Sequence, residues 1–194
     1  PYRSLVRETG ATLLQCGSLP DHPATIESEL ALALAIADVI LTTGGISVGD
    51  RDFLPRAITQ LGGQIAVQGI AMKPGKPFIA ARFANTAYYG LPGNPMSTMV
   101  CFWRLVRGPL LKACGLPLAE CQPQHTTVIA TADLHSNGQR ETYLWGTCHQ
   151  GTFTPAPDHT SGNPIGAIAI NALAQLRIHQ TYVPAGDRVA VILV

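Results

Sequence analysis

Three short apolar runs in this chain each lead into a loop rich in glycine or proline. The loops extend over Thr42 to Asp52, Lys73 to Pro77 and Leu91 to Ser97. Each loop exposes backbone amides, and two of them add charged side chains. Because backbone amides and ammonium groups bind phosphate and other anions, the pattern suits a site for a phosphorylated or anionic small molecule better than plain packing.

Helices and strands alternate over residues 1–115. Asp38 to Thr43 is a continuous apolar run, which is typical of a parallel strand covered on both faces. Further strands are predicted at Ala11 to Cys16, Ile65 to Met72, Pro77 to Phe83 and Thr86 to Gly90. Helices are predicted at Tyr2 to Thr9, Pro23 to Ala37, Phe53 to Leu61 and Pro95 to Cys114. This order predicts an α/β domain, a three-layer sandwich with a mainly parallel sheet.

The pattern changes after residue 115. Residues 116–124 are predicted to be a linker, and residues 125–194 a small, mostly β domain that resembles a barrel. Its predicted strands are Thr126 to Ala132, Thr142 to Cys148, Thr152 to Pro155, Leu176 to Val183 and Arg188 to Val194, with a short helix at Pro164 to Leu173.

The composition narrows the classes of protein to consider. The chain is 46% hydrophobic and 13% charged, which argues against disorder. Its net charge of +1 and the absence of a Lys/Arg cluster argue against nucleic-acid binding. The longest apolar stretch, Leu30 to Leu41, is interrupted by Asp38 and is too short to span a membrane. Five cysteines without a C-x-x-C pair predict reduced thiols in a cytoplasmic protein.

Two of the loops have an equally good structural explanation. Lys73-Pro74-Gly75-Lys76 fits a type II turn, with Gly75 at the position of positive φ. Its two ammonium groups would repel by about 2 kcal/mol at an effective dielectric constant of about 20, and an anion between them would reverse that sign. A solvated turn with the lysines splayed apart is equally consistent. Asn94 is a good N-cap before Pro95, so that helix start favours either a phosphate or water.

The third loop combines glycines with acids. Gly44 and Gly45 allow a close approach to the backbone, while Asp50 and Asp52 offer carboxylates for Mg²⁺ beside an anion. One of the two aspartates could instead cap the helix that begins near Phe53. If the strands before the first and third loops are parallel, both loops lie at one edge of the sheet, where open α/β sheets bind ligands.

Three segments carry a family resemblance: T-T-G-G-I-S-V-G-D-R-D, A-M-K-P-G-K-P-F and G-L-P-G-N-P-M-S. In this order and spacing they resemble the molybdopterin molybdenumtransferases, which include the C-terminal part of gephyrin. The resemblance implies insertion of molybdate into adenylylated molybdopterin with release of AMP, with Mg²⁺ as the metal and a homodimer as the full-length assembly. It also implies that this chain is a fragment, inactive alone, because it lacks the domain's first strand and two upstream domains.

The resemblance also assigns roles to individual residues. It implies Asp21 and Asp52 as metal ligands, and it implies a catalytic group made up of Asp21, Asp52, Lys73, Lys76 and Ser161. The residues implied to bind the pterin substrate are Thr43, Gly44, Gly45, Ser47, Gly49, Asp50, Pro92, Gly93, Asn94, Pro95 and Ser97.

The sequence departs from the family at two positions. Gly69 stands where many members have a basic residue, and Trp145 where an arginine is common, so the anion site is less basic than expected. Two other functions stay open: a molybdopterin adenylyltransferase, which shares the T-T-G-G loop and the L-P-G turn, and a non-catalytic scaffold on the same fold. The β tail after Leu116 favours the transferase over the first of these.

Overall fold

The computed structural model describes residues 2–46, 53–157 and 170–194. Its helices are α1 (Tyr2–Arg7), α2 (Pro23–Leu34), α3 (Leu54–Gln60), α4 (Pro95–Cys101), α5 (Arg107–Ala113) and α6 (Leu118–Cys121), with a π-helical turn at Phe102–Val106 between α4 and α5. Its strands are β1 (Val39–Thr43), β2 (Gln64–Gln68), β3 (Met72–Lys73), β4 (Ile79–Arg82), β5 (Ala87–Leu91), β6 (His125–Ala130), β7 (Leu134–His135), β8 (Glu141–His149), β9 (Thr152–Pro155), β10 (Ala172–Leu176), β11 (Tyr182–Val183) and β12 (Arg188–Leu193).

The first sheet has four strands in the order β1-β5-β4-β2. β1 and β5 are parallel, with Val39 opposite Ala87 and Thr43 opposite Leu91. The pairings β5–β4 and β4–β2 are antiparallel. The connection from β4 to β5 is too short for a crossover, which forces those strands to run antiparallel. Among the described strands the expectation of a mainly parallel sheet is therefore not confirmed.

Both faces of this sheet are covered by helices. Ile40 and Tyr88 point to a core completed by α2 and α3, with Ile26 and Ile58 among its buried residues. Tyr89, the next residue along β5, packs against the other core, in which the helical run from Pro95 to Ala113 buries Met96, Val100, Phe102, Val106 and Leu110. Because successive strand residues face opposite sides, the result is helix on sheet on helix, a three-layer α/β arrangement.

The second sheet closes on itself. Its order is β10-β12-β6-β9-β8-β3, and an additional pairing joins β10 to β8. Five strands thus form a closed barrel, and its interior holds Val128, Phe153, Ala174, Leu176, Val189 and Val191. Closure leaves none of these five strands as an open edge. The prediction of a small, mostly β C-terminal domain is confirmed.

The two parts of the chain are joined by β3. This short strand precedes β4 of the first sheet, but it pairs in parallel with β8 of the barrel, with Lys73 opposite Thr142. One core also contains side chains from both parts, since Tyr143, Leu173 and Ile192 lie in the same cluster as Met96 and Val106. The barrel and the α/β part therefore share buried surface.

Two predicted strands are wrong or divided. Ala11 to Cys16 forms no strand, and Leu14 within it is 59% exposed. A strand needs a partner for its backbone groups, and no described strand pairs with this segment. The predicted strand Ile65 to Met72 is split into β2 and β3 at Gly69, whose φ of 81° turns the chain.

The predicted elements near the end of the chain also differ from the structure. A helix was expected up to Leu173, but Ala172 and Leu173 belong to β10, between β12 and β8; residues 164–169 of that helix lie outside the described residues. Alanine and leucine favour helices, yet burial between two strands overrides that preference. The predicted strand from Leu176 to Val183 is reduced to the end of β10 and the short β11.

No helix in the described ranges has the length and apolar character needed to cross a membrane.

Candidate functional site

Two of the three glycine-containing loops meet at one edge of the first sheet. The carboxyl ends of parallel β1 and β5 lie side by side, and the Gly44 N–H donates to the Leu91 carbonyl over 2.9 Å. Gly44 and Gly93 are in backbone contact, so that a methyl group on Gly93 would lie 3.3 Å from the Gly44 Cα. The predicted meeting of these loops is confirmed. The tight contact favours glycine at Gly93, and the φ of 83° favours it at Gly44.

A buried tyrosine supports this edge from below. The Tyr88 side chain is fully buried, and its hydroxyl lies 2.5 Å from the Thr42 hydroxyl on the neighbouring strand. Burial raises the pKa of Tyr88 to about 12, while the hydrogen bond with Thr42 acts in the opposite direction. The phenol is therefore neutral at physiological pH and ties β5 to β1 one residue before Thr43, which is exposed.

Asn94 in the L-P-G-N-P loop is the N-cap of α4, as predicted, and its side chain occupies amides of the first helical turn. The Asn94 Oδ1 accepts hydrogen bonds from the Met96 N–H at 3.1 Å and the Ser97 N–H at 3.3 Å. Pro95 has no N–H to offer. These first-turn amides of α4 therefore already have an acceptor, which differs from the expectation that they are open to a phosphate.

The K-P-G-K turn lies at the seam between the sheet and the barrel. Gly75 has the expected positive φ, 121°, and is packed against the Met72 side chain and the Cys101 Sγ. Lys73 and Lys76 are both exposed, and within the described parts of the chain neither ammonium forms an ion pair. Two cations without a counter-ion leave this turn able to attract an anion.

The described contacts do not bring the K-P-G-K turn to the two glycine loops. Gly75 packs at the C-terminal end of α4, whereas the L-P-G-N-P loop precedes the N-terminal end of the same helix. At 1.5 Å per residue, the seven residues of α4 separate those ends by about 10 Å. The lysines thus flank the glycine loops across the length of one short helix.

Of the three predicted acidic residues, Asp21 alone lies within the described ranges. Asp21 is exposed in the turn before α2, where His22 occupies the N-cap position without a capping hydrogen bond. Ser47, Gly49, Asp50, Asp52 and Ser161 lie outside the described residues. In the described ranges, no three His, Cys, Asp or Glu side chains are grouped as a metal site would require. The magnesium assignment stays a prediction.

The two positions at which the sequence departs from the family that it resembles, Gly69 and Trp145, have structural explanations. Gly69 has a φ of 81° at the bend between β2 and β3, a backbone conformation that residues other than glycine rarely adopt. Trp145 is 4% exposed and packs in the core shared by the two parts of the chain. An apolar ring therefore occupies a position at which a charged arginine was expected.

A polar cluster that sequence reasoning missed joins the barrel to the helices. The Arg104 Nε donates to the Tyr143 hydroxyl over 2.6 Å, and that hydroxyl donates to Glu141. Gln175 donates to the other Glu141 oxygen over 2.9 Å. Burial is the main cause, and the hydrogen bond to Glu141 the second, that raise the pKa of Tyr143 well above its usual range. The cluster depends on contacts between residues far apart in sequence, so no local signal could reveal it.

Thr98 is a second residue that the sequence did not single out. Its side chain is fully buried, and its hydroxyl bonds the carbonyl oxygens of Pro92 and Asn94. A threonine in a first helical turn commonly bonds the carbonyl four residues earlier, which is a weak signal available from sequence.

Comparisons with known proteins agree on the kind of protein to which this chain is similar. A family model described as "Probable molybdopterin binding domain" matches residues 3–113. A second, described as "MoeA C-terminal region (domain IV)", matches residues 127–194. The two matches cover the α/β part and the barrel respectively.

Named relatives match over only part of their own length. A protein named molybdopterin molybdenumtransferase from Nostoc sp. is 36% identical over 97% of this chain and 45% of the relative. One of the same name from Haemophilus influenzae is 38% identical over 67% of this chain and 32% of the relative. The chain thus spans less than half the length of these relatives.

Solved structures share the fold. The crystal structure of the molybdopterin biosynthesis MoeA protein from Pyrococcus horikoshii superposes on 89% of this chain with a TM-score of 0.74 at 25% identity, using 41% of that protein. A crystal structure of a molybdopterin biosynthesis MoeA protein from Pyrococcus horikoshii OT3 covers the whole chain and 45% of that protein, with a TM-score of 0.78 at 21% identity.

Proposed function

Since the chain belongs to the family of molybdopterin-binding domains, we propose that it acts in molybdenum cofactor biosynthesis as part of a molybdopterin molybdenumtransferase. The proposed reaction inserts molybdate into the dithiolene of adenylylated molybdopterin and releases AMP. The observation that carries the proposal is the contact between the Gly44 and Gly93 loops at the carboxyl edge of two parallel strands. Ligands of open α/β sheets bind at such edges.

The proposed substrate is a large anion, and two features of this chain suit it. The contact of Gly44 with Gly93 holds the two loop backbones side by side at the sheet edge, where the pterin or its phosphate is proposed to bind. The exposed ammonium groups of Lys73 and Lys76 supply positive charge about one short helix away. We assign the pterin and its phosphates to the glycine loops and the attraction of molybdate to the lysine turn.

Magnesium is proposed as the metal, held by Asp52 with a contribution from Asp21. The donor chemistry fits, since Mg²⁺ prefers carboxylate oxygens and the exposed Asp21 carboxylate is accessible to solvent. When bound, the ion would neutralise phosphate charge. Ser161 is proposed to donate a hydrogen bond to an oxyanion. A homodimer and a cytoplasmic location complete the proposal.

A molybdopterin adenylyltransferase is the alternative among enzymes. That reading does not account for residues 127–194, which match the MoeA C-terminal region and form the closed barrel. A pure scaffold would not require two exposed and uncompensated lysines beside Gly75.

The test measures AMP release. Adenylylated molybdopterin is mixed with the 194-residue chain, or with the complete product of its gene, with and without molybdate. We expect molybdate-dependent AMP release by the complete product, and binding without turnover by the chain alone, because the chain spans less than half the length of its relatives. No molybdate-dependent release by the complete product would contradict the proposed reaction. Pyrophosphate release from ATP and molybdopterin would support the adenylyltransferase instead.

A further inference from the structure

The L-P-G-N-P loop is fixed from inside by one buried hydroxyl. The Thr98 Oγ1 lies 2.5 Å from the Pro92 carbonyl oxygen and 2.9 Å from the Asn94 carbonyl oxygen. The Asn94 oxygen also accepts the Thr98 backbone N–H at 2.9 Å, as in any helical turn. Within the described part of the chain, the Pro92 oxygen has no other donor. The Pro92 carbonyl is therefore the group that depends on Thr98.

Holding that carbonyl determines where the next amide points. In a trans peptide unit the C=O and the N–H point in opposite directions. Pro92 and Thr98 are buried, whereas Gly93 is exposed. With the Pro92 oxygen directed inward to Thr98, the Gly93 N–H is directed outward, and among the described residues it has no acceptor.

The alternative orientation would act against an anionic ligand. A reversed Pro92–Gly93 unit would place a carbonyl oxygen at the surface of the loop, where its partial negative charge would repel phosphate. The helix behind the loop cannot compensate, because Asn94 already occupies the amides of Met96 and Ser97. With those two amides occupied, the Gly93 N–H is a backbone donor that this part of the loop can offer to a ligand.

We propose that Thr98 is a positioning residue, whose hydroxyl holds the Pro92–Gly93 peptide unit with its N–H toward the anionic group of the ligand. The inference rests on the proposed function, since that function places an anionic pterin at this loop. It adds a residue that touches no ligand but determines whether the loop donates or accepts a hydrogen bond.

The test compares one substitution that removes the hydroxyl with one that keeps it. Thr98→Val keeps the shape and removes the hydroxyl, whereas Thr98→Ser keeps the hydroxyl and removes only a methyl group. We expect Thr98→Val to weaken binding of adenylylated molybdopterin about tenfold or more by calorimetry, since a hydrogen bond to a charged group is lost. Thr98→Ser is expected to stay within about threefold of the unaltered chain, because it keeps that donor. A purely structural role would lower the melting temperature without changing the affinity of the folded protein.

A second measurement follows the Gly93 amide directly. We expect Thr98→Val to shift the Gly93 amide resonance and to change its hydrogen-exchange rate, with Thr98→Ser restoring both. If Thr98→Val does not fold, Thr98→Ala, which also removes the hydroxyl, takes its place.

The outcomes separate the two ideas. An unchanged Gly93 amide, or unchanged affinity in the folded Thr98→Val protein, would overturn the positioning role while leaving the proposed function intact. No binding of adenylylated molybdopterin by the unaltered chain would overturn the proposed function, and the ligand-positioning role with it.

Discussion

At the scale of single residues, the sheet edge is supported by groups that must remain uncharged. Tyr88 has no exposed surface, and its hydroxyl bonds Thr42 immediately before the T-G-G turn. An ionised phenol could not be solvated at that depth. The stability of the edge is therefore linked to the protonation of one tyrosine.

This linkage gives a prediction for alkaline pH. Burial raises the pKa of Tyr88 from 10.0 to about 12, so the unfolded chain loses this proton at lower pH than the folded chain does. The contribution of Tyr88 to stability is complete below pH 10 and is lost as pH rises toward 12. We expect the ionisation of Tyr88 to lower the free energy of unfolding by about 1 kcal/mol between pH 9 and pH 11.

Urea unfolding at those two pH values checks the prediction. Tyr143, Tyr89 and Cys101 have pKa values raised in the same direction, so the unaltered chain should lose more than the Tyr88 share alone. The Tyr88→Phe protein removes that share and should show a shallower decline over the same pH interval. An identical decline in both proteins would mean that the pKa of Tyr88 is the same in the folded and the unfolded chain, which contradicts the prediction.

At the scale of elements, the proposed binding site has two parts at opposite ends of α4. The L-P-G-N-P loop is proposed to bind the pterin and its phosphates, and the K-P-G-K turn to attract molybdate. The L-P-G-N-P loop begins α4, and the K-P-G-K turn packs against its other end through Gly75 and Cys101. Burial raises the pKa of the Cys101 thiol to about 12, so this contact is neutral, and the thiol donates to the Gly75 carbonyl over 3.9 Å. The charge of the turn is confined to its two exposed lysines.

Reversing that charge should remove binding without unfolding the chain. Lys73 and Lys76 are exposed and form no described ion pair, so a Lys73→Glu, Lys76→Glu protein should melt within a few degrees of the unaltered chain. Calorimetry should then detect no binding of adenylylated molybdopterin. The matched control is Arg177→Glu with Arg188→Glu, which makes the same change of charge on exposed barrel residues. Equal effects of the two pairs would assign the loss to net charge and remove the turn from the site.

At the scale of the whole molecule, the barrel and the α/β part form one packed unit. They share a hydrophobic core, they are joined by the β3–β8 pairing, and the cluster of Arg104, Tyr143 and Glu141 bonds across the boundary. Shared burial of this kind couples the unfolding of the two parts. We therefore expect one cooperative transition.

A single hydroxyl at that boundary should have a measurable effect. Tyr143 is 1% exposed, and Tyr143→Phe would leave the Arg104 Nε and one Glu141 oxygen without their present partner. The loss should destabilise the chain by about 2 kcal/mol. Urea unfolding followed by circular dichroism and by tryptophan fluorescence should give coincident curves, shifted together.

The control for that variant is an exposed tyrosine of β11. Tyr182→Phe removes a hydroxyl from a side chain that is 47% exposed, and its unfolding midpoint should stay close to that of the unaltered chain. Two separated transitions in any of these proteins would contradict the single packed unit.

Much of the local structure follows from the sequence because its causes are local. The apolar run of β1, the Asn94 cap with Pro95 after it, and the positive φ of Gly75 each depend on a few neighbouring residues. The meeting of the Gly44 and Gly93 loops was also predictable, since parallel neighbours end at the same edge. These features include the part of the candidate site on which the proposed function depends.

Tertiary structure decided what local pattern leaves open. Ala172 to Leu176 contains good helix formers but is a strand, because the barrel places it between β8 and β12. The antiparallel pairings of the first sheet, the closure of the barrel and the roles of Thr98 and Arg104 all depend on which distant segments come into contact. A periodic pattern encodes the type of an element and its buried face, whereas its partner is chosen by packing of the whole chain.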